Sequence, residues 1–266
     1  MVFRVSEYRY LNNLDTILTS YSLTIATNSM HTDTNKYNYT MRGHYMNLKI
    51  LYEDEHVIVC YKPAGIATQT AKMGSQDMES LLKNYLYKKE KKMPYLAVIH
   101  RLDQPVEGIL VFAKTPFAAK ELNKGLQGAG FGKYYKAVLC GEPKEKKATL
   151  EDYLVKDGKT NTSRVATKDE KEAKKAVLTY DVIKQVNDKS LVKIKLETGR
   201  HHQIRVQMAN MGCPIWGDTK YNTSENVDKS WKNIALCAYH LEFVHPKTKK
   251  KMTFEIEPQG EGFQKM

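Results

Sequence analysis

The 266-residue sequence predicts a mixed α/β domain of the α+β kind, in which strands outnumber helices. Many segments are short apolar runs, or alternate apolar and polar residues with a period of two, between glycine or proline turns, which is typical of strands. A few others repeat apolar residues with the spacing of an amphipathic helix. With 41% hydrophobic residues, the chain can bury a core of this kind.

Residues 1–45 differ in amino-acid composition from the rest of the chain, because they are rich in Asn, Thr, Ser and Tyr. Leu11, Leu14 and Leu18 have helical spacing and allow one short helix, but residues 27–40 are too polar to bury much surface. We therefore expect a flexible polar extension over residues 1–45, or the product of an upstream start codon. The compact domain is expected to span residues 46–266.

Short β-rich runs recur along the whole of that domain. In residues 131–141, alternation places Tyr134 and Tyr135 on opposite faces of a strand. Residues 109–113 are uniformly apolar, which favours a strand buried on both faces. The segments predicted as strands are 48–52, 56–61, 109–113, 131–141, 148–155, 163–167, 176–186, 191–196, 235–238 and 252–256, with residues 240–246 linking the last two.

Three segments between the strands predict helices. Each combines a start signal, such as a capping side chain or an N-terminal proline, with a closing glycine or a run of lysines. These paired signals are Ser75 or Asp77 with lysines at 88–92, Thr115-Pro116 with Gly128, and the turn at 197–202 with Gly212.

One turn in the chain places a carboxylate between two apolar segments. Asp103 precedes Gln104-Pro105, and Arg101 is two residues away. A carboxylate that a nearby cation keeps ionised can act as a nucleophile or a base. Taken alone, however, an Arg-x-Asp segment is more simply a turn aspartate with a surface partner. The rest of the chain has to decide between these two readings.

The charge balance favours a polyanionic partner. There are 42 Lys and Arg against 30 Asp and Glu, a net charge of +12, and the pI is about 9.3. A basic protein without such a partner fits the charge equally well. No apolar run is long enough to cross a membrane, and the N-terminus lacks a signal-peptide core, so we expect no membrane partner.

The cysteines and histidines predict neither disulfides nor a metal site. The four cysteines are far apart and form no Cys-x-x-Cys pair, as in a protein kept reduced in the cytoplasm. His201, His202 and Cys213 do not have the spacing of zinc ligands. We therefore expect a cytoplasmic protein without a bound metal.

Four ordered motifs cover the region from Leu48 to Pro258. They are His100-Arg101-Leu102-Asp103 before Gly108 and Phe112-Ala113-Lys114; Lys133-x-Tyr135-x-Ala137 before Gly141; Thr198-Gly199-Arg200 to Arg205 before Gly212, Pro214, Gly217-Asp218 and Tyr221; and Leu241-x-Phe243-x-His245-Pro246. In this order they resemble the RluA-type family of RNA pseudouridine synthases. The opening Lys62-Pro63-Ala64-Gly65 also fits that family.

The sequence departs from the family pattern at three places. Val106-Glu107 stands where a Thr-Ser pair is usual, and His201 stands where Thr or Ser is common. Residues 1–45 are too short and too weakly basic to be the N-terminal S4 RNA-binding domain of many relatives. The first departure affects the support of the Asp103 loop rather than the reaction itself.

The resemblance implies the pseudouridine synthase fold, a mixed and largely antiparallel bent sheet flanked by helices, with an RNA-binding cleft across its middle. It implies a catalytic domain that isomerises specific uridines of rRNA or tRNA to pseudouridine. The reaction needs no cofactor and no metal. The expected partner is RNA rather than DNA, and the protein is expected to act as a monomer.

The resemblance also assigns residues to the reaction. Asp103 is the catalytic carboxylate, Arg205 is its ion-pair partner, and Tyr135 lies against the uracil, where its hydroxyl is a candidate for removing the C5 proton. Contacts to the substrate are expected from Arg101, Lys133, Arg200, His202 and Gln203.

Two other classes of function remain open. A non-catalytic RNA-binding protein on the same fold would keep the basic charge but has no need of Asp103, Tyr135 and Arg205 together. A nucleoside hydrolase would usually need a second carboxylate near the first, and only Glu107 is available in the sequence. The synthase therefore fits the residues best.

Overall fold

The structure, a computed structural model, describes residues 2–4, 38–41, 44–71, 75–128, 130–222 and 233–266. The strands are β1 (Val2–Arg4), β2 (Asn38–Met41), β3 (His44–Asn47), β4 (Lys49–Glu53), β5 (Val57–Lys62), β6 (Ala97–Val98), β7 (Glu107–Ala113), β8 (Phe131–Cys140), β9 (Lys147–Asp157), β10 (Thr162–Ala166), β11 (Lys174–Val186), β12 (Lys189–Leu196), β13 (Leu236–Val244) and β14 (Lys251–Glu255). The helices are α1 (Met78–Glu90), α2 (Pro116–Gln127), α3 (Gln203–Asn210) and α4 (Glu261–Gln264).

Twelve of the strands form one sheet, whose main path is β10-β9-β11-β12-β8-β13-β7-β5-β4. β6 pairs with β7, β14 with β13, and β1 with β14, while β2 and β3 form a separate hairpin. All pairings in the large sheet are antiparallel except β13 with β7 and β1 with β14. The predicted mixed, largely antiparallel α/β architecture is therefore confirmed.

Helices cover both faces of the sheet and make two hydrophobic cores. On one face, α1 and α3 pack over side chains such as Cys60 and Phe112. On the other face, α2 packs over Val59 and Val111. Every residue of β7 is buried, as the uniformly apolar run predicted. The strand that follows the Asp103 turn is thus anchored on both sides.

The predicted starts of the first two helices are confirmed. Asp77 caps α1 by accepting a hydrogen bond from the Ser80 backbone N–H (2.8 Å), and the Ser80 hydroxyl accepts one from the Asp77 N–H (3.1 Å). Thr115 caps α2 in the same way through the Ala118 N–H (3.1 Å), with Pro116 at the first turn. These caps satisfy backbone donors that a helix start otherwise leaves unpaired.

Gly108 is required where β7 meets β13. Its φ of +143° is one that side chains disfavour, and a Cβ here would lie 2.5 Å from the Cβ of Ala238 and 2.6 Å from its backbone nitrogen. Gly108 pairs with Ala238, and Glu107 with Cys237, in the parallel register. Only glycine therefore lets the two strands approach this closely beside the Asp103 turn.

The predicted end of one strand is wrong. β13 continues from Leu236 to Val244, whereas the sequence suggested a strand ending at Ala238 and a link over 240–246. A register shift opposite β8 between Cys237 and His240 interrupts the alternation, which then resumes with buried Leu241 and Phe243. The short strand β6 and the four-residue helix α4 were also not predicted.

The N-terminal predictions are largely untested. The suggested helix at Leu11–Leu18 lies outside the described residues. Val2–Arg4 pairs with β14, and the division of the chain at Met46 stays a prediction. Among the residues that the structure describes, no helix has the length and hydropathy needed to cross a membrane.

Candidate active site

The Asp103 turn lies between β6 and β7, and its apolar side chains pack into the hydrophobic core. Leu102 and Val106, on either side of the carboxylate, are buried. The Thr68 hydroxyl accepts a hydrogen bond from the Leu102 N–H and donates one to the Leu102 carbonyl, both at 3.0 Å. The Asp103 side chain itself keeps 28% of its surface exposed, so the turn presents its carboxylate while its neighbours are fixed.

Arg205, on α3, makes the predicted contact with Asp103. Its Nη1 donates to Asp103 Oδ2 at 3.2 Å. Its Nε and Nη2 donate to the two oxygens of Asp218, both at 2.8 Å, and Asp218 is fully buried. This two-pronged bond fixes the plane of the guanidinium. The third guanidinium nitrogen, Nη1, is thereby directed at the Asp103 carboxylate.

Arg205 remains protonated although only 4% of the residue is exposed. Burial acts to lower the pKa of Arg205, but the Asp218 and Asp103 carboxylates outweigh it and the pKa is raised. The guanidinium carbon also lies 5.1 Å from the centre of the Tyr221 ring, a cation–π distance. Asp103 therefore faces a permanent positive charge.

Lys62 supports the turn from the other side. Its ammonium group is fully buried and donates to the carbonyls of Pro63 (3.0 Å), Ile66 (2.7 Å) and Gln104 (3.2 Å). Burial lowers the pKa of Lys62 to about 7, and the Asp103 carboxylate acts in the opposite direction. Lys62 thus ties the turn at residues 62–66 to the residue that follows Asp103.

Tyr135 lies on β8 within electrostatic reach of Asp103 and is 6% exposed. Burial raises the pKa of Tyr135 well above its ordinary value, and the charge of Asp103 raises it further. The phenol is therefore neutral at physiological pH. Its predicted part in removing a proton stays a prediction, and it requires the hydroxyl to ionise against this shift.

His202 comes next to the Asp103–Arg205 pair at the start of α3. Its Nε2 lies 3.5 Å from Asp103 Oδ2, and its Nδ1 lies 2.7 Å from the Tyr221 hydroxyl. Burial lowers the pKa of His202 to about 4; Asp103 counteracts the shift and Arg205 adds to it. The imidazole next to the carboxylate is therefore neutral at pH 7.

Arg101, Lys133 and Arg200 were predicted as substrate contacts, and these contacts stay predictions. Arg101 and Arg200 are exposed, and the Arg200 Nε donates to the Lys175 carbonyl at 2.8 Å. Burial lowers the pKa of Lys133, and the charge of Arg200 lowers it further, so the two cations are neighbours. Lys133 and Arg200 thus form a second group of positive charge.

Gln203 is buried below the glycine turn. Its Oε1 accepts hydrogen bonds from the Thr198 hydroxyl (2.8 Å) and the Arg200 N–H (2.9 Å), and its Nε2 donates to the Val177 carbonyl (3.1 Å). The structure gives Gln203 a supporting function in the turn, because its amide is engaged within the protein. Its predicted contact with the substrate stays a prediction.

An open cavity of about 360 Å³ lies over the carboxylate. It is bounded by the Asp103 turn, the start of α3, the β9–β10 turn and the segment after α3. The lining residues are Asp103, Gln104, Pro105, Asn161, His201, His202, Arg205, Gly217, Thr219, Lys220 and Ile234.

Three residues at this site received no function from the sequence: Lys62, Asp218 and Tyr221. Each belongs to a motif, and the spacing of Asp218 and Tyr221 after Gly217 was the available signal. Their partners depend on the folded arrangement and were not visible in the pattern. Within the described ranges, no group of three or more His, Cys, Asp or Glu side chains is placed to hold a metal ion.

Comparison with known proteins finds RNA pseudouridine synthases by sequence and by structure. The family model for RNA pseudouridylate synthase matches residues 56–210. Ribosomal large subunit pseudouridine synthase D of Zymomonas mobilis is 31% identical over 225 residues, covering 79% of this chain and 69% of that protein. The protein of the same name from Pseudomonas aeruginosa is 33% identical over 231 residues, covering 82% of this chain and 70% of its own.

Two solved human structures share the fold. Human RNA pseudouridylate synthase domain containing 4 aligns with a TM-score of 0.66 at 20% identity, covering 79% of this chain and 88% of that one. Human RNA pseudouridylate synthase domain containing 1 aligns with a TM-score of 0.65 at 21% identity, covering 80% and 84% of the two chains. At this identity the likeness shows a common fold.

Proposed function

The chain belongs to the RNA pseudouridylate synthase family, and from this membership we propose that Asp103 carries its conversion of uridine to pseudouridine in RNA. The supporting observation is the Arg205 contact, which places a fixed cation 3.2 Å from a partly exposed carboxylate at the edge of the cavity. At this distance the guanidinium is a permanent ion-pair partner of the carboxylate.

The reaction breaks the N1–C1′ bond of the uridine, turns the uracil and forms a C5–C1′ bond, with the C5 proton lost in the last stage. Nothing is oxidised or reduced. An ionised Asp103 can assist in two ways, by attacking C1′ or by removing a proton from the sugar. Both ways require an unprotonated carboxylate oxygen that faces the substrate.

The target uridine has to leave its stack to reach Asp103. Enzymes that act on a base usually flip the nucleotide into a pocket. The cavity over Asp103 opens to solvent and is bordered by Lys220 and by the β9–β10 turn at Asn161. We place the flipped nucleoside there, with Tyr135 against the uracil and Arg101 at the RNA strand.

The RNA backbone is held by the positive surface around the cavity. The net charge of +12 and the adjacent Lys133 and Arg200 support phosphate contacts. The two bacterial relatives are named for the large ribosomal subunit, which favours rRNA over tRNA as the substrate.

The oligomeric state and the location of the protein are also proposals. One chain supplies Asp103, Arg205 and Tyr135, which supports action as a monomer. Its four cysteines are all free, which fits the reducing cytoplasm.

The test is pseudouridine mapping of total RNA from cells that lack the protein and are supplied with wild type or Asp103→Asn. The asparagine keeps the size of the side chain and removes the charge. We expect wild type to restore specific pseudouridines, mainly in large-subunit rRNA, and Asp103→Asn to restore none while still binding RNA. Sites restored by Asp103→Asn would contradict the assignment of the carboxylate.

A further inference from the structure

We propose that His202 and Tyr221 form a hydrogen-bonded pair that holds one oxygen of the Asp103 carboxylate and leaves the other, Oδ1, to react. The inference rests on the proposed function of Asp103 and adds to it a pair of positioning residues and the identity of the reacting atom. Three observations support it: which oxygen is contacted, the order of donors and acceptors, and the packing that holds the imidazole.

Both neighbours of the carboxylate approach the same oxygen. Arg205 Nη1 lies 3.2 Å and His202 Nε2 lies 3.5 Å from Asp103 Oδ2. No hydrogen bond to Oδ1 is found among the residues that the structure describes, and the side chain borders the open cavity. The two oxygens are therefore unequal, with Oδ2 held by the protein and Oδ1 available to the substrate.

The hydrogen-bond donors and acceptors between Ser163, Tyr221, His202 and Asp103 fit a single direction, in which each group donates to the next. The Tyr221 oxygen accepts a hydrogen bond from the Ser163 backbone N–H at 2.8 Å, so its own hydroxyl is available to donate to His202 Nδ1, 2.7 Å away. A neutral imidazole that accepts at Nδ1 carries its proton on Nε2. That N–H faces Asp103 Oδ2, which only accepts when it is ionised.

The contact between His202 and Asp103 is longer than an ordinary hydrogen bond. At 3.5 Å it is outside the usual range for N–H to oxygen. Contacts in free enzymes are often long and tighten when the substrate binds. The short Tyr221 contact already fixes the tautomer of His202. Shortening the His202–Asp103 contact to hydrogen-bond length therefore requires a small movement of the carboxylate and no proton transfer.

The imidazole is held in place on its other sides. His201 stacks on it with ring centres 3.7 Å apart, and His201 Nδ1 lies 2.9 Å from the Ser163 hydroxyl. Ser163, on β10, thus contacts both Tyr221 and His201. His202 has a φ of 52°, a conformation uncommon for a residue with a side chain, and it precedes the first residue of α3. The surroundings therefore determine the direction of the ring.

The inference predicts a specific order of rates in three variants. Single-turnover rate at saturating RNA and RNA affinity are measured for His202→Leu, His202→Gln and Tyr221→Phe. We expect His202→Leu to lose about 100-fold in rate, as when a preorganised donor is removed. His202→Gln keeps an N–H in the same region and should recover at least half of that loss on a logarithmic scale. Tyr221→Phe keeps the ring on Arg205 and should lose about 10-fold.

RNA affinity should stay within about twofold in all three variants, because the pair acts on the carboxylate. Tyr180→Phe is the matched control, since it removes the hydroxyl of a buried tyrosine, which donates to the Glu145 carbonyl at 3.1 Å outside the site. It should leave the rate unchanged. Thermal midpoints and far-UV circular dichroism identify any variant that fails to fold.

A direct measurement avoids activity altogether. Nitrogen-15 NMR of the histidine side chains reports which ring nitrogen carries the proton. We expect His202 to be the Nε2–H tautomer in wild type and a mixture of tautomers in Tyr221→Phe. An Nδ1–H tautomer in wild type overturns the inference, even if every activity variant fails to fold.

The outcomes separate this inference from the proposed function. Turnover by Asp103→Asn defeats the proposed function itself. If Asp103→Asn is inactive while His202→Leu turns over at the wild-type rate, only the pair is excluded. A loss confined to RNA affinity makes His202 an RNA contact and likewise overturns the pair. Equal losses in His202→Leu and His202→Gln show that the N–H is not what matters.

Discussion

The Arg205 guanidinium binds two carboxylates at once, the buried Asp218 and the proposed catalytic Asp103. Two of its nitrogens bind the fully buried Asp218, and the third reaches Asp103. Replacement therefore does more than remove a cation from the site, because Asp218 is left as a buried charge without its partner. Losing one member of such a pair costs about 3–5 kcal/mol.

This arrangement predicts different failures for two arginines of the same motif. Arg205→Met should abolish most of the single-turnover rate at saturating RNA and lower the free energy of unfolding. Arg200→Met, at an exposed position, should weaken RNA binding and reduce the salt slope of the affinity by about one. Its rate at saturating RNA and its stability should remain those of wild type.

A double variant separates the two effects at Arg205. In Arg205→Met/Asp218→Asn the buried charge is removed together with its partner, so part of the stability should return while the rate stays low. Rate and affinity come from single-turnover assays at several salt concentrations, and stability from urea unfolding. If Arg200→Met abolishes the chemistry and Arg205→Met only weakens binding, the two assignments are reversed.

Single residues were predictable where the motif carried the information. Asp103 and Arg205 are 102 positions apart, and their contact was expected from the resemblance and is present. The partners of Lys62 and Gln203 were not predictable, because they are backbone carbonyl and amide groups and one hydroxyl that only the fold brings near. A turn lysine and a polar helix start look exposed in sequence, and both are buried.

At the scale of elements, Glu107 of the Val106-Glu107 departure connects the start of β7 to two other segments. Glu107 is 3% exposed, and its carboxylate accepts a hydrogen bond from the Tyr61 hydroxyl at 2.6 Å. It also accepts from the backbone N–H groups of Gln259 (3.1 Å) and Gly260 (2.9 Å). The start of β7 is thereby tied to β5 and to the segment that precedes α4.

The parallel contact of β7 with β13 predicts a strong effect of one methyl group. Gly108→Ala places a Cβ 2.6 Å from the Ala238 backbone nitrogen at a φ of +143°, so the strands have to separate. We expect a loss of more than about 2 kcal/mol in the free energy of unfolding. Activity should fall as well, since Asp103 precedes this strand.

Gly158→Ala is the matched control for Gly108→Ala. A Cβ at Gly158 meets nothing within 4 Å, so the change should alter stability by less than about 0.5 kcal/mol. Urea unfolding at neutral pH measures both variants. Equal stability of Gly108→Ala and wild type would mean that the two strands are not packed as closely as described.

At the scale of the whole molecule, local patterns reported which segments are strands but not their order in the sheet. Alternation identified β8 and β11, yet the pairing of β13 with both β8 and β7 joins residues far apart in sequence. Such pairing depends on how whole elements pack. The sheet's antiparallel character could be expected only from the resemblance, and the order of its strands had to come from the structure.

Two buried histidines make the stability of the whole molecule depend on pH. Burial lowers the pKa of His100 to about 3, with Lys133 adding to the shift, and burial lowers that of His202 to about 4. In the unfolded chain both titrate near the ordinary value of 6.5. Between about pH 6.5 and pH 4 the unfolded state therefore binds more protons, and stability must fall as the pH falls. Above that window these two groups contribute no slope.

We therefore expect the thermal midpoint to fall steadily from pH 6.5 to pH 4.5. His100→Gln keeps an acceptor for the Val111 N–H, which lies 3.3 Å from Nε2, but removes one titrating group. Its midpoint should fall less steeply over the same range. Scanning calorimetry at constant ionic strength measures both proteins. Parallel curves for wild type and His100→Gln would show that His100 does not resist protonation in the folded protein.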